Sequence, residues 1–184
     1  MPFKYRCLLL ITPLIFVADQ LTKWLVRSRI AYGSGIPVIP GYFDIVHVHN
    51  TGAAFGMLAG AQASFREPFF YLVSLVAIGV IATVLRKLPS HERLLPIVLT
   101  LILGGVLGNT IDRVAQGFVT DFLSVHWRDV VLHFSFLDRT YQLALDWPSF
   151  NVADSAITVS MVLLAWQGMR APHTAPKKNE EAAS

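Results

Sequence analysis

Charged and amide side chains fall in this chain where an apolar environment can least accommodate them. In FNVADSAITVSMVLLAW, residues 150–166, Asn151 and Asp154 open a stretch apolar enough to enter a membrane. Asp19 and Lys23 lie one helical turn apart in another such stretch, with the acid N-terminal to the base as an i,i+4 ion pair prefers. In GGVLGNTIDR, residues 104–113, Asn109, Asp112 and Arg113 are likewise spaced by three and four. Asp121 belongs to no long apolar stretch, yet its own surroundings, FVTDFL, are apolar. An ionisable group inside a span costs roughly 2.5–3.5 kcal/mol on insertion scales, so this grouping calls for a reason.

Two carboxylates held together in a low dielectric cannot both ionise easily, and one keeps a proton near neutral pH. Such a pair suits hydrolysis of a peptide by water: one carboxylate takes a proton from water while the other donates to the scissile carbonyl. Asp121 and Asp154 are the natural pair. With Asn151 as N-cap, Asp154 takes the third helical position, where a helix N-terminus favours negative charge, and Asp121 is left to hold the proton. The competing reading is structural. Asp19, Lys23 and Asn151 then form an ion-pair and capping network, and Gly104 and Gly108 a GxxxG packing face.

The elements that position these residues follow from composition. Of 184 residues, 54% are hydrophobic and 15% charged, too apolar and too charge-poor for an average soluble domain. A membrane crossing needs about 20 mostly apolar residues. Residues 7–26, 69–85, 94–111 and 149–169 meet that need, which predicts an all-α integral membrane protein with four transmembrane helices. Lys4 and Arg6 before the first span resemble the start of a secretory signal peptide, but the run continues into DQLTKWLV without a small-residue cleavage pattern. Residues 1–170 are expected to form a single transmembrane domain and 171–184 a disordered cytoplasmic tail.

With four spans both termini share one side. That side carries Lys4, Arg6, Arg86, Lys87, Arg93, Arg170, Lys177 and Lys178, eight basic residues against seven on the other. The margin widens once Lys23 and Arg113 are read as intramembrane, and both termini are placed in the cytoplasm. The net charge of +3 fits orientation and anionic lipid rather than nucleic acid, for no basic stripe interleaves with aromatics. Cys7, the only cysteine, can form no internal disulfide and has no His nearby in sequence to make it a nucleophile.

Residues 30–66 and 114–148 then face outside. Ile45 to His49 alternate like a half-exposed strand, and VVLHFSF and TYQLAL flank Leu137-Asp138-Arg139 like the arms of a hairpin. A small extracytoplasmic β-sheet on the outer membrane surface is expected, with the hairpin resting on the outer leaflet or shaping substrate access without doing chemistry. His47 and His49 share a strand face, and His126 and His133 lie elsewhere. No HExxH or Cys-rich spacing supports a metal, so they read as polar residues on the wet face, and no metal or cofactor is expected.

Five motifs in order resemble those of lipoprotein signal peptidase, or signal peptidase II: DQLTK at 19–23, NTGAAF at 50–55, GVLGNTIDR at 105–113, VTDF at 119–122 and FNVAD at 150–154. The resemblance implies a bacterial inner-membrane aspartic endopeptidase that cuts prolipoprotein signal peptides before a diacylglyceryl-modified cysteine, within the membrane near its outer surface. It implies Asp121 and Asp154 as the catalytic dyad, the pair already selected by their surroundings. Asn50, Gly52, Asn109, Asp112, Arg113 and Asn151 would line or brace the site, with Asp19 and Lys23 as structural support. Its partners would be prolipoprotein substrates and membrane lipid. Residues 128–147 form a longer segment than the family pattern suggests. A small ion-coupled transporter is the other class of reading, but transporters place their sites near the midplane and often show repeats, whereas these charges gather at one boundary and no repeat is seen.

The topology is open to direct test. In a protein whose Cys7 has been replaced, impermeant thiol reagent added outside spheroplasts labels Gly60→Cys and leaves Pro89→Cys unlabelled; external labelling at position 89 would reverse the orientation.

Overall fold

The computed structural model describes residues 1–52, 62–136 and 139–170, with 128–136 and 139–146 described as backbone only. The expected tail at 171–184, part of the second motif at 53–55, position 60, and the turn at Leu137 and Asp138 lie outside the described residues. The helices among the described residues are α1 (Phe3–Arg29), α2 (Ala63–Lys87), α3 (Leu94–Gln116) and α4 (Val152–Arg170), each long and apolar enough to cross a membrane. The strands are β1 (Gly35–Ile39), β2 (Phe43–Asn50), β3 (Val119–Phe136) and β4 (Arg139–Asp146). The expected spans fall within α1 to α4, except that 149–151 precede the helix, which starts at Val152. Counting apolar residues finds the part of a helix that sits in hydrocarbon, and α1 and α2 continue beyond it to include Arg27, Arg29, Arg66 and Glu67.

The packing inverts that of a soluble protein. Leu9, Leu10, Leu14, Val17 and Leu21 of α1, and Leu72, Val76 and Val80 of α2, are exposed on the faces available to lipid. Fully buried side chains include Lys23, Asn151, Asp19 and Asp112. Apolar clusters flank this polar interior, Ile81, Leu85 and Leu99 between α2 and α3, and Val26, Ile30 and Phe122 where α1 meets β3.

Glycines let the helices carrying the polar groups approach. A Cβ on Gly104 would lie 2.8 Å from Ile15 Cβ of α1, and one on Gly108 would lie 2.5 Å from Asp19 Oδ2. The Gly104–Gly108 face expected from sequence therefore packs on α1. Gly105, one residue on, packs against α4, where an added Cβ would meet Ala153 O at 2.6 Å. At its end α3 turns through Gly117, whose φ of 77° is left-handed, and β3 starts two residues later.

The strands form one antiparallel sheet in the order β1-β2-β3-β4. The expected strand at 45–49 lies within β2, and the expected hairpin is β3 and β4, in register from Val131 opposite Ala144 to Phe136 opposite Arg139. Strand β1 was not expected. Gly-Ile-Pro-Val-Ile lacks polar alternation and contains a proline, and all five residues are exposed at the sheet edge, where a proline costs no interior ladder bond. The β2–β3 register sets Val48 opposite Asp121 and Asn50 opposite Val119, which brings two of the motifs side by side.

Close approach at Gly105 generates a stability prediction. Gly105→Ala lowers stability by about 1–3 kcal/mol through overpacking, seen as a lower Tm in detergent or lipid. Gly79→Ala, with nothing within 4 Å of the added methyl, does not.

Candidate active site

Asp121 stands on β3 and Asp154 in the first turn of α4, and a backbone splice joins the two elements. Phe150 N–H donates to Leu123 O at 3.0 Å and Leu123 N–H to Phe150 O at 2.8 Å, so the residue before the α4 cap is pinned to the strand carrying Asp121. Asn151 then closes the helix. Its Oδ1 accepts from Asp154 N–H at 2.9 Å, and Asp154 Oδ2 accepts from Asn151 N–H at 3.2 Å, a reciprocal capping box with Asp as the acid. The sequence reading of Asn151 as cap and Asp154 as third residue holds.

The same amide reaches the other carboxylate: Asn151 Nδ2 donates to Asp121 Oδ1 at 2.7 Å, and to Asn109 Oδ1 at 3.2 Å. Asn50 Nδ2 donates to Asp121 Oδ2 at 2.9 Å, while Asn50 Oδ1 accepts from Gly52 N–H at 2.9 Å. Asn109 Nδ2 donates to Asp154 Oδ1 at 2.8 Å. Each carboxylate is thus held by two N–H donors. Asp121 is 2% exposed, and burial first, then the charge of Asp154, pushes its carboxyl up to about 7 against the opposing pull of the Asn50 and Asn151 hydrogen bonds.

Both carboxylates open on a cleft of about 820 Å³, also lined by Asn50, Gly52, Asn109 and Arg113 and walled by Trp147, Phe150, Ile157 and Val159. Arg113 is anchored at one edge, where its Nη2 donates to Gly52 O at 3.0 Å and its guanidinium lies 4.3 Å over the Phe70 ring. Its Nε is buried with no hydrogen-bond partner among the described residues. A polar pair of carboxylates beside an apolar wall can hold a chain with greasy side groups and exchange a proton with its backbone.

The remaining predicted residues lie behind the cleft. Lys23 Nζ meets Asp19 Oδ2 at 2.8 Å and Asp112 Oδ2 at 3.0 Å, and donates to Asn109 Oδ1 at 2.9 Å. Asp19 Oδ1 accepts from Ala153 N–H at 3.0 Å, and Asp112 Oδ2 from Thr120 N–H at 3.3 Å, so these acids tie α4 and β3 to the bundle. Asp112 does not line the cleft. Sequence reasoning missed Gln20, whose Nε2 donates to Asp19, Asp112 and Gly108 O, and Arg27, which donates to Thr120 Oγ1 at 3.1 Å. Gln20 was within reach, since it stands inside the DQLTK motif; Arg27 lies one helical turn past Lys23 and resembled a boundary charge.

The histidines need one correction. His47 and His126 are buried rather than on a wet face. His47 Nδ1 bonds Ile30 O at 2.8 Å, because the chain leaving α1 folds back over β2, and His126 lies 3.8 Å from Asp44. His49 Nε2 is 3.2 Å from His47 Nε2 and its ring stacks on Phe118 and Tyr32. Burial first, then His47 and Arg27, hold His49 below the usual histidine range. Among the described residues no three His, Cys, Asp or Glu side chains are grouped to hold a metal ion.

Four spanning helices that gather carboxylates and amides at the mouth of a cleft define a polytopic membrane enzyme. Comparison with known proteins narrows the class to a peptidase: the family Signal peptidase (SPase) II matches residues 11–170, and the chain belongs to that family. The lipoprotein signal peptidase of Geobacter metallireducens is 42% identical over 176 residues, covering 96% of this chain and 98% of the relative. That of Geobacter sulfurreducens is 48% identical over 149 residues, covering 81% and 82%. A bacterial membrane enzyme solved by the in meso method superposes with a TM-score of 0.72 at 27% identity, covering 95% of this chain and 93% of that one. With bacterial relatives and four spans, the chain is a multi-pass protein of the bacterial inner membrane.

Proposed function

We propose that the protein removes signal peptides from prolipoproteins by aspartic catalysis, cleaving before the diacylglyceryl-modified cysteine. The observation that carries this reading is the pair of carboxylates, Asp121 and Asp154, facing one cleft with two N–H donors on each. Ionised Asp154 takes a proton from water as the oxygen attacks the scissile carbonyl, and Asp121 gives its proton to the carbonyl oxygen. Collapse of the tetrahedral intermediate returns a proton to the leaving amine and restores one shared proton. Arg113, Asn50 and Gly52 stand where the substrate backbone would lie, and the apolar wall suits a signal peptide and lipid chains.

The reading also gives an orientation. The polar groups sit at the C-terminal ends of α1 and α3 and the N-terminal end of α4, the end of the bundle that bears the sheet. With both termini cytoplasmic, that end is the outer face, where a diacylglyceryl anchor and a spanning signal peptide meet, and residues 1–170 serve as one peptidase domain.

Purified protein in lipid, assayed by mass-resolved cleavage of a diacylglyceryl prolipoprotein, tests the mechanism. Asp121→Asn and Asp154→Asn each lower turnover by about 10²-fold or more while still binding a substrate-like lipopeptide, because an amide keeps shape but cannot exchange the proton. Asp112→Asn is milder, since Asp112 lies behind the cleft. Near-normal turnover in either dyad variant contradicts the aspartic mechanism. The pH profile has a definite sign. Asp121 is protonated below its raised value, so turnover falls as pH climbs through about 7 and the pair loses its shared proton; a rate that keeps rising through that range contradicts the assignment of the acid.

A further inference from the structure

We infer that Lys23 is a positioning residue for the reaction: its buried ammonium fixes which way the Asn109 amide points, and through it the Asn151 amide. Both carboxylates of the cleft then face amide N–H groups and neither faces an amide oxygen. The inference rests on the dyad reading above and goes beyond a general bracing role for Lys23.

A lysine ammonium has three N–H donors and no acceptor. Lys23 is 0% exposed and spends its donors on Asp19 Oδ2, Asp112 Oδ2 and Asn109 Oδ1. The atom of Asn109 that meets it must therefore be the oxygen. The two ends of an amide are nearly identical in size, so shape alone does not decide the orientation. Turning Asn109 over would set its NH₂ against the ammonium and the Asn151 NH₂, and its oxygen against Asp154 Oδ1, losing three hydrogen bonds and creating three unfavourable contacts in a largely buried setting.

The constraint passes on. Asn109 Oδ1, held by Lys23, also accepts from Asn151 Nδ2, which keeps the NH₂ end of Asn151 on the side of Asp121 Oδ1. The oxygen end of Asn151 is left to accept from Asp154 N–H. One ammonium, two amides away from Asp121, thus gives both amides one sense. The consequence is chemical. A proton shared by the two carboxylates has no oxygen of Asn109 or Asn151 to bind, and is left to the carboxylates, water and the substrate carbonyl. A flipped Asn109 would offer an acceptor to Asp154 and hold that proton away from the reaction. Asn50 acts separately, since its own oxygen is occupied by Gly52 N–H.

A double-mutant cycle separates this role from simple structural support. Lys23→Met and Asn109→Leu are compared singly and together, with rates expressed per folded molecule in lipid. Because Lys23→Met leaves two buried carboxylates around a missing cation, it is also made with Asp112→Asn, which removes one charge of each sign, and measured against Asp112→Asn alone. The expected result is a kcat loss of roughly 10- to 100-fold for Lys23→Met, KM within about threefold, and no further loss when Lys23→Met is added to Asn109→Leu. Multiplying losses in the cycle, or an unchanged kcat in folded protein lacking Lys23, overturns the proposal. Asp121→Asn in the same assay keeps the two levels distinct: if it cleaves normally the dyad reading fails, whereas its loss beside an additive cycle sinks only the role of Lys23.

Discussion

A single ammonium ion, buried without exposure among two carboxylates and an amide oxygen, is the interaction on which the site depends. Lys23 stands on α1 and Asp112 on α3, so the charge joins two helices. Through Asp19 it reaches the Ala153 N–H of α4, and through Asp112 the Thr120 N–H of β3. Removing one member of such a cluster typically costs 3–5 kcal/mol, because a buried charge is left unpaired. That cost makes the relative placement of α1, α3, α4 and β3 close to all-or-none.

The lipid environment explains why the interior is built this way. In hydrocarbon, apolar faces gain nothing by turning inward, so helix contact relies on close packing and polar contacts. The three glycines on α3 supply the first and the Lys23 cluster the second, and the two meet where Gly108 packs against Asp19. Asp154 shows how far structural and chemical roles overlap: one of its oxygens completes the capping box, while the carboxylate still opens on the cleft. A capping reading and a catalytic reading of that residue are compatible.

What could be read in the sequence was local. The Asp19–Lys23 and Asn151–Asp154 spacings state helical neighbours outright, and four apolar runs state four spans. The apolar setting of Asp121 pointed to a raised proton affinity, which its burial explains. The rest depends on contacts distant in sequence. Asn50 meets Asp121 across 71 residues, and Ala153 meets Asp19 across 134, and no spacing rule encodes either. Strand β1 escaped notice because it is an edge with no buried face to impose alternation. His47 was misread because strand periodicity says which residues share a face but not that the turn after α1 covers that face.

The central claim is that the two carboxylates hold one proton between them, resident on Asp121. Infrared spectroscopy of protein carrying isotope-labelled aspartate, titrated across neutrality in lipid, observes that proton directly. The account predicts a protonated-carboxyl band that titrates with a midpoint near the value of about 7 set by burial and Asp154, and whose titrating component is missing from Asp121→Asn. A titrating component that survives unchanged in Asp121→Asn, or its absence from the wild-type protein well below that pH, would contradict it.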